Sequence, residues 1–218
     1  MKEFDARLTA GAASLGVALD ARQRQQLAQL MDALVRWNKA FNLTAITDRP
    51  RILTHHLLDS LAAHADLAGP RVADVGTGAG FPGLPLAVVN PDRRFTLIDS
   101  VDKKLRFVDH AARELGLGNV ETRHVRVEQL NPGEPFDTVI ARAFAPLPRL
   151  AGWIAPLCGP ATRVVAMKGR WPPPADDADE NQPLPPGWRI QSVRPVIVPG
   201  LGEARHHVIL GLGAADVP

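Results

Sequence analysis

The first third of the chain carries apolar residues at the three- and four-residue spacing of amphipathic helices. Asp20 is the predicted N-cap of one such series, which comprises Leu27, Leu30, Met31, Leu34 and Val35. A second helix is expected after Asp48, with Pro50 tolerated in its first turn. It would carry Ile52, Leu53, His56, Leu57 and Leu61 inward. The pattern predicts a helical cap over residues 1–68 that packs on the rest of the chain.

Beyond residue 68, short apolar runs alternate with segments of helical spacing. Strands are predicted at residues 72–75, 95–98, 120–124, 136–141, 163–167, 188–198 and 206–212, with helices over 101–115 and 148–157. Such alternation predicts an α/β, Rossmann-like fold with a mostly parallel sheet. The last two strands have no room for a helix between them, so they are expected to form an antiparallel hairpin. We therefore expect one domain over residues 1–218, with the core at 69–218 and a Pro-rich loop at 171–187.

A glycine-rich loop follows the first predicted strand, with Gly76, Gly78 and Gly80 alternating along it. Glycine permits a sharp turn and the close approach of a ligand to the main chain. Asp99 ends the next strand, at the spacing where nucleotide-binding α/β units contact ribose hydroxyls. The dinucleotide fingerprint needs a third glycine where this chain has Phe81, which disfavours NAD. The loop instead resembles the first motif of the S-adenosylmethionine-dependent methyltransferases.

Composition restricts the function classes. The chain has 218 residues, 45% of them hydrophobic, and a formal net charge of +2. It contains one cysteine and no Cys/His cluster with zinc spacing, so neither a disulfide nor a metal site is expected. His55, His56 and His64 are interpreted as helix-surface or satisfied core residues. No apolar run has the length of a membrane span, and no signal peptide is recognisable, which together favour a cytoplasmic protein.

Seven ordered segments carry a more specific resemblance: residues 37–44, 56–60, 74–83, 97–100, 126–128, 141–145 and 167–169. Together they resemble the bacterial ribosomal RNA small subunit methyltransferase G family, also called glucose-inhibited division protein B. The resemblance runs from about residue 27 to 210. It implies S-adenosylmethionine as the cofactor, and a guanine of 16S ribosomal RNA near the decoding site as the substrate.

The resemblance also implies which residues contact the cofactor: Gly76, Gly78, Gly80, Phe81, Asp99, Val127, Glu128 and Arg142. Three of them have structural alternatives. Asp99 could cap the helix that it precedes, and Glu128 could be a solvated acid at a helix start. Arg142 could be a structural ion-pair partner instead of a catalytic residue that aligns the reactants or manages charge.

The predicted end of the fourth strand bears on the methyl acceptor. Methyltransferases that modify exocyclic amines usually place an acid or amide, two prolines and an aromatic residue there, whereas this chain has Arg142 followed by Ala143 and Phe144. Pyrimidine C5 needs a cysteine nucleophile, and Cys158 has no partner. Ribose methylation commonly uses a Lys/Asp set, but here Arg142 replaces the acid after the fourth strand and only Lys168 is suitably placed. Guanine N7 remains as the methyl acceptor, because its lone pair needs no general base to remove a proton.

The sequence indicates less clearly which residues would bind the RNA. N7 faces the deep, narrow major groove of A-form RNA, so the target base must be unpaired or extruded. Basic residues on both sides of the glycine-rich loop are candidates for backbone contacts: Arg36, Lys39, Arg49, Arg51, Lys103, Lys104, Arg106, Arg123, Arg126 and Arg170. We expect a monomer that acts on 16S rRNA within the small subunit or an assembly intermediate. A small-molecule methyltransferase, a NAD-dependent oxidoreductase and a non-catalytic RNA-binding module remain alternatives.

Overall fold

Seven strands form one mixed sheet in a computed structural model that describes residues 2–213. The strand order is β3-β2-β1-β4-β5-β7-β6, and β7 alone runs antiparallel to its neighbours. The strands are β1 Arg71–Val75, β2 Arg94–Asp99, β3 Val120–His124, β4 Thr138–Arg142, β5 Arg163–Lys168, β6 Trp188–Val196 and β7 Arg205–Leu212. Because β1 to β5 are parallel, their carboxyl ends meet at one edge of the sheet.

Seven α-helices surround the sheet within residues 2–213: α1 Lys2–Ser14, α2 Ala21–Phe41, α3 Arg49–Ile52, α4 Asp59–Leu61, α5 Gly83–Val89, α6 Asp102–Glu114 and α7 Leu147–Ile154. A π-helical stretch, Leu53–Leu58, joins α3 to α4. None of the helices in this range is long and apolar enough to cross a membrane.

Helix α2 fixes the cap on the sheet. Asp20 and Gln23 form a capping box at its start, which satisfies two backbone N–H groups that the helix leaves free. Leu27, Leu30 and Leu34 are fully buried in a hydrophobic core shared with α5, α6 and the sheet. The helix runs past α6, from a Gln26 hydrogen bond to the Leu115 carbonyl to a contact between the Trp37 and Phe107 rings. Its carboxyl end therefore lies at the edge of the sheet where α6 begins.

The sequence predicted the sheet and most of the helices correctly. The fold class, the parallel core and the antiparallel C-terminal hairpin are confirmed. Helix α1 was not predicted. Helix α6 has Val101 as its N-cap, and the N–H of Val101 donates to the Asp99 carboxylate. The stretch at 171–187 contains no helix or strand, as predicted, but it makes specific contacts that are described below.

Candidate cofactor and acceptor site

A cavity of about 470 Å³ opens at the carboxyl ends of β1, β4 and β5. This edge is where open α/β sheets bind their ligands. The cavity is bounded by the glycine-rich loop, the segment that joins α2 to α3, the π-helical stretch and the ends of β4 and β5. Its walls include Thr44, His55, His56, Asp59, Gly76, Gly78, Phe81, Arg142, Ala143, Lys168 and Arg205.

The three alternating glycines have different roles. All have positive φ angles, a conformation that favours glycine. A Cβ on Gly78 would meet no atom closer than 4.0 Å, so this residue leaves open space at the cavity wall. A Cβ on Gly76 would instead collide with the Phe144 ring, and one on Gly80 would collide with Leu84. Gly78 is thus the position where a ligand could approach the backbone, whereas Gly80 permits close packing.

Asp99 stands directly beside this loop. One carboxylate oxygen accepts a hydrogen bond from the Gly78 N–H at 2.9 Å, and the other accepts from the Val101 N–H at 2.9 Å. The second bond reaches Val101, the N-cap of α6, and not an N–H inside the helix, so Asp99 does not cap α6. The first bond holds the loop at the point where it is open. A carboxylate has four lone-pair sites, so both oxygens keep acceptor capacity for ribose hydroxyls. The ribose contact stays a prediction.

Val127 and Glu128 lie in a short 3-10 helix, Val127–Gln129, after β3. Val127 is buried in the core between the sheet and α7, and the Glu128 side chain is exposed. Neither residue lines the cavity, nor do Gly80 and Asp99. Of the residues that the resemblance singled out, the structure gathers Gly76, Gly78, Phe81 and Arg142 around the cavity. Cofactor contacts from the others stay predictions.

Arg142 is both an ion-pair partner and part of the cavity wall. Its guanidinium donates to the His55 carbonyl at 2.6 Å and to Asp59 at 3.1 Å, and it lies 5.9 Å from the centre of the Phe81 ring. The other Asp59 oxygen accepts from Arg205 at 3.2 Å. Because the Asp59 side chain is only 3% exposed, its charge is compensated almost entirely by the two guanidinium groups.

The same site holds His56 in a neutral form. Burial, and then the nearby Arg142 charge, lower the pKa of His56 from 6.5 to about 3. With the ring neutral, Nδ1 can accept from the Arg142 Nη2 at 3.4 Å, and Nε2 donates to the Thr44 hydroxyl at 2.9 Å. The ring also stacks on Phe81, with centroids 4.9 Å apart. These contacts confirm a satisfied core histidine, and no cluster of potential metal ligands occurs within residues 2–213.

Lys168 connects the cavity to the Pro-rich stretch. Its ammonium group donates to the Ala145 carbonyl at 2.9 Å and pairs with Glu180 at 2.7 Å. Glu180 also accepts from the Leu147 N–H at 3.2 Å, at the start of α7. Ala143, two residues before Ala145, adopts a left-handed conformation with a φ of 48°. Sequence reasoning missed Glu180, because it is twelve residues from Lys168 in a segment without a recognisable motif.

Asp74 supports the glycine-rich loop from below. The fully buried carboxylate accepts from the Thr77 hydroxyl at 2.6 Å and from the Gly83 N–H at 2.8 Å, both through one oxygen. The other oxygen has no partner among the described residues. Burial raises the pKa of Asp74 to about 6, against the effect of these two hydrogen bonds.

Comparison with known proteins identifies the family. The model of the family described as rRNA small subunit methyltransferase G (GidB) matches residues 23–209. The chain belongs to this family. A member from Pseudomonas paraeruginosa is 44% identical over 93% of both chains. Another, from Erwinia tasmaniensis, is 42% identical over 94% of this chain and 97% of its own. Both are named ribosomal RNA small subunit methyltransferase G.

Solved structures share the fold at low sequence identity. A SAM dependent methyltransferase from Aquifex aeolicus is 18% identical, with a TM-score of 0.56 over 79% of this chain and 97% of its own. A mutant of MtNAS, solved in complex with S-adenosylmethionine, is also 18% identical, with a TM-score of 0.57 over 95% of this chain and 77% of its own. The Rossmann-like fold of the S-adenosylmethionine-dependent methyltransferases, predicted from the sequence, is therefore confirmed.

Proposed function

We propose that this chain transfers the methyl group of S-adenosylmethionine to N7 of a guanine in 16S rRNA, near the decoding site. The family gives the reaction class and the kind of RNA. The observation that supports N7 as the acceptor is the absence of a free base in the cavity. Within residues 2–213, Asp59 is the only carboxylate in the wall, and two arginines already bind it.

The other potential bases in the wall are also engaged. His56 is neutral but donates to Thr44 and faces Arg142, while His55 Nδ1 lies within hydrogen-bond distance of the Thr54 hydroxyl and the Arg51 carbonyl. Ribose hydroxyls and exocyclic amines gain from a general base that removes a proton. Guanine N7 presents a free lone pair, so a wall without a free base suits it. Arginine also recognises guanine through O6, next to N7, which gives Arg142 a role in orienting the base.

The cavity fits the cofactor that the family uses. Its volume of about 470 Å³ lies within the usual range for small-molecule sites, and Gly78 leaves the loop open on the cavity side. Once bound, S-adenosylmethionine would supply an electrophilic methyl group on a sulfonium. We assign its binding to Gly76, Gly78 and Phe81 in the cavity wall, and to Asp99, Gly80, Val127 and Glu128, which do not line the cavity, as further predicted contacts. Arg142 would align the reactants.

Methyl transfer tests the proposal directly. The purified protein should transfer tritiated methyl groups from S-adenosylmethionine to small ribosomal subunits that lack the modification. Mapping should locate the label at N7 of a single guanine of 16S rRNA. Label on a ribose, on an exocyclic amine or only on small molecules would overturn the assignment. Deproteinised 16S rRNA, tested in parallel, distinguishes naked RNA from the subunit as the substrate.

We further propose that the chain acts as a cytoplasmic monomer and as one domain over residues 1–218. One hydrophobic core includes residues of α1, α2, the π-helical stretch and the sheet, which supports a cap at 1–68 that folds together with the core at 69–218. Sedimentation equilibrium at assay concentration should give the monomer mass, and thermal unfolding should show one transition. A dimer, or two separate transitions, would contradict these statements.

A further inference from the structure

The ten basic residues that the sequence offers for RNA contact fall into two groups in the structure. Four are paired with acids: Arg36 with Glu114, Arg49 with Asp32, Arg106 with Asp102 and Arg123 with Glu121. The other six have no carboxylate within 4 Å among residues 2–213: Lys39, Arg51, Lys103, Lys104, Arg126 and Arg170. We call these six the rim cations.

The rim cations lie at one edge of the sheet. Lys103 and Lys104 form the first turn of α6, which begins three residues after β2 ends. Arg126 and Arg170 each follow the carboxyl end of a parallel strand by two residues, β3 and β5 respectively. Since the cavity opens at the carboxyl ends of β1, β4 and β5, these four cations lie at the same edge of the sheet as its opening.

The remaining two rim cations border the cavity from the cap. Arg51 lies four residues, about one helical turn, before His55, which is part of the cavity wall. Lys39 lines a neighbouring cavity that shares Thr44 and Ile46 with the central one. Both side chains are exposed, so their charges can reach a ligand at the mouth.

An exposed aromatic ring accompanies these charges. Phe41, the last residue of α2, is 41% exposed. Its ring packs against the Trp37 ring, with the two ring centroids 5.1 Å apart. It lies between Lys39 and the cavity residues Leu43 and Thr44 in the chain. Cations that track a backbone, together with an aromatic ring for base stacking, are the combination by which proteins bind single-stranded nucleic acid.

We propose that the rim cations and Phe41 form the surface that binds the RNA strand around the target guanine. The cations contact its phosphates, and Phe41 stacks on a base next to the extruded one. The four paired arginines contribute little, because their neighbouring acids offset their charge. This proposal rests on the proposed function, since it takes 16S rRNA as the partner.

Two triple variants with equal change in net charge test the cations. The rim variant combines Lys39→Gln, Arg51→Gln and Arg170→Gln, and the matched control combines Arg36→Gln, Arg106→Gln and Arg123→Gln. Binding of unmodified 16S rRNA transcript is measured without cofactor over a series of salt concentrations. Each lost phosphate contact on a single strand lowers the slope of log K against log salt by about 0.7, so the rim variant should lose about two units. The control should keep the wild-type slope.

Phe41→Ala tests the stacking contact, with Ile190→Ala as its control. Both residues are 41% exposed, but Ile190 lies near the start of β6, at the opposite edge of the sheet. Phe41→Ala should weaken RNA binding roughly tenfold with an unchanged salt slope, because stacking is not electrostatic. Ile190→Ala should have no effect. Thermal unfolding of each variant verifies that it is folded.

The outcomes separate this proposal from the proposed function. If the wild type methylates 16S rRNA but both triple variants lose the same slope, or neither loses any, the rim assignment is wrong while the function stands. If Phe41→Ala binds RNA like the wild type, the stacking contact is wrong. A wild-type protein that neither binds nor methylates 16S rRNA would overturn the function together with the surface.

Discussion

His56→Gln removes the buried histidine of the cavity wall, and the structure sets the size of its effect. Burial and Arg142 hold the pKa of His56 at about 3 in the folded protein, against 6.5 as the ordinary value. A group with a lowered folded-state pKa stabilises the fold above its unfolded pKa. That contribution is lost as the pH falls from 6.5 towards 3, because the unfolded chain binds a proton that the folded one excludes.

The magnitude follows from the shift. Below pH 6.5 the loss approaches 1.4 kcal/mol per pH unit, so His56 should cost the wild type about 2 kcal/mol of unfolding free energy between about pH 7 and pH 5. His56→Gln lacks this group but keeps an amide that can donate to Thr44. The variant should therefore be less stable than the wild type at pH 7, because it loses the Phe81 stacking contact. The difference should shrink by about 2 kcal/mol at pH 5.

Urea unfolding at the two pH values measures this difference. A difference between wild type and His56→Gln that is the same at pH 7 and pH 5 would refute the reasoning. His56 would then be protonated in the fold, and its Nδ1 could not accept from Arg142.

Four further predictions concern the site. Gly78→Ala should weaken S-adenosylhomocysteine binding at least tenfold by calorimetry, while its left-handed backbone costs only about 1–2 kcal/mol of stability; unchanged affinity would exclude the loop from the cofactor site. Arg142→Ala should lower the rate of methyl transfer more than cofactor affinity, whereas a loss of thermal stability alone would make Arg142 structural. Asp74→Asn keeps the acceptor for Thr77 and removes a carboxylate with a raised pKa. As the pH rises from about 4.5 to 8, its unfolding free energy relative to the wild type should therefore increase by about 2 kcal/mol, and a decrease would contradict this. Glu180→Ala should speed hydrogen exchange at the Leu147 amide and raise the KM for RNA without changing cofactor affinity, and unaltered exchange would show that Glu180 does not hold this segment.

The sequence predicted those parts of the site that depend on local signals. The alternation of strands and helices placed the glycine-rich loop at the carboxyl edge, and the alternating glycines indicated that a ligand could approach the main chain there. Arg142 was singled out by the resemblance to the family, and the structure places it as the last residue of β4. Helix α1 was missed, although Leu8 and Ala12 are spaced one turn apart and both are buried, because its buried face consists mainly of small residues and gives only a weak apolar pattern.

The ion pairs of the site could not be predicted in the same way. Asp59 is 83 residues from Arg142 and 146 residues from Arg205 along the chain, and no local pattern marks such a contact. Glu180 lies in a Pro-rich segment whose composition indicates only a loop. Pairing in the folded chain also decides which cations remain free for RNA, as the Arg36 bond to Glu114 illustrates. The sequence alone shows where charged residues occur along the chain, but not which of them form ion pairs in the fold.

The distribution of charge suits a reaction between a cationic cofactor and an anionic polymer. At the cavity, Asp59 and Glu203 compensate Arg142 and Arg205, and Glu180 compensates Lys168. The wall therefore offers hydrogen-bond donors with little excess positive charge, which avoids repelling a sulfonium or the positive charge that N7 methylation leaves on guanine. The uncompensated cations lie outside, at the mouth, where their field attracts phosphates. Removing Asp59 would leave Arg142 without its carboxylate partner. The inner wall would then carry uncompensated positive charge, as the rim does, and would attract the RNA backbone in place of the base.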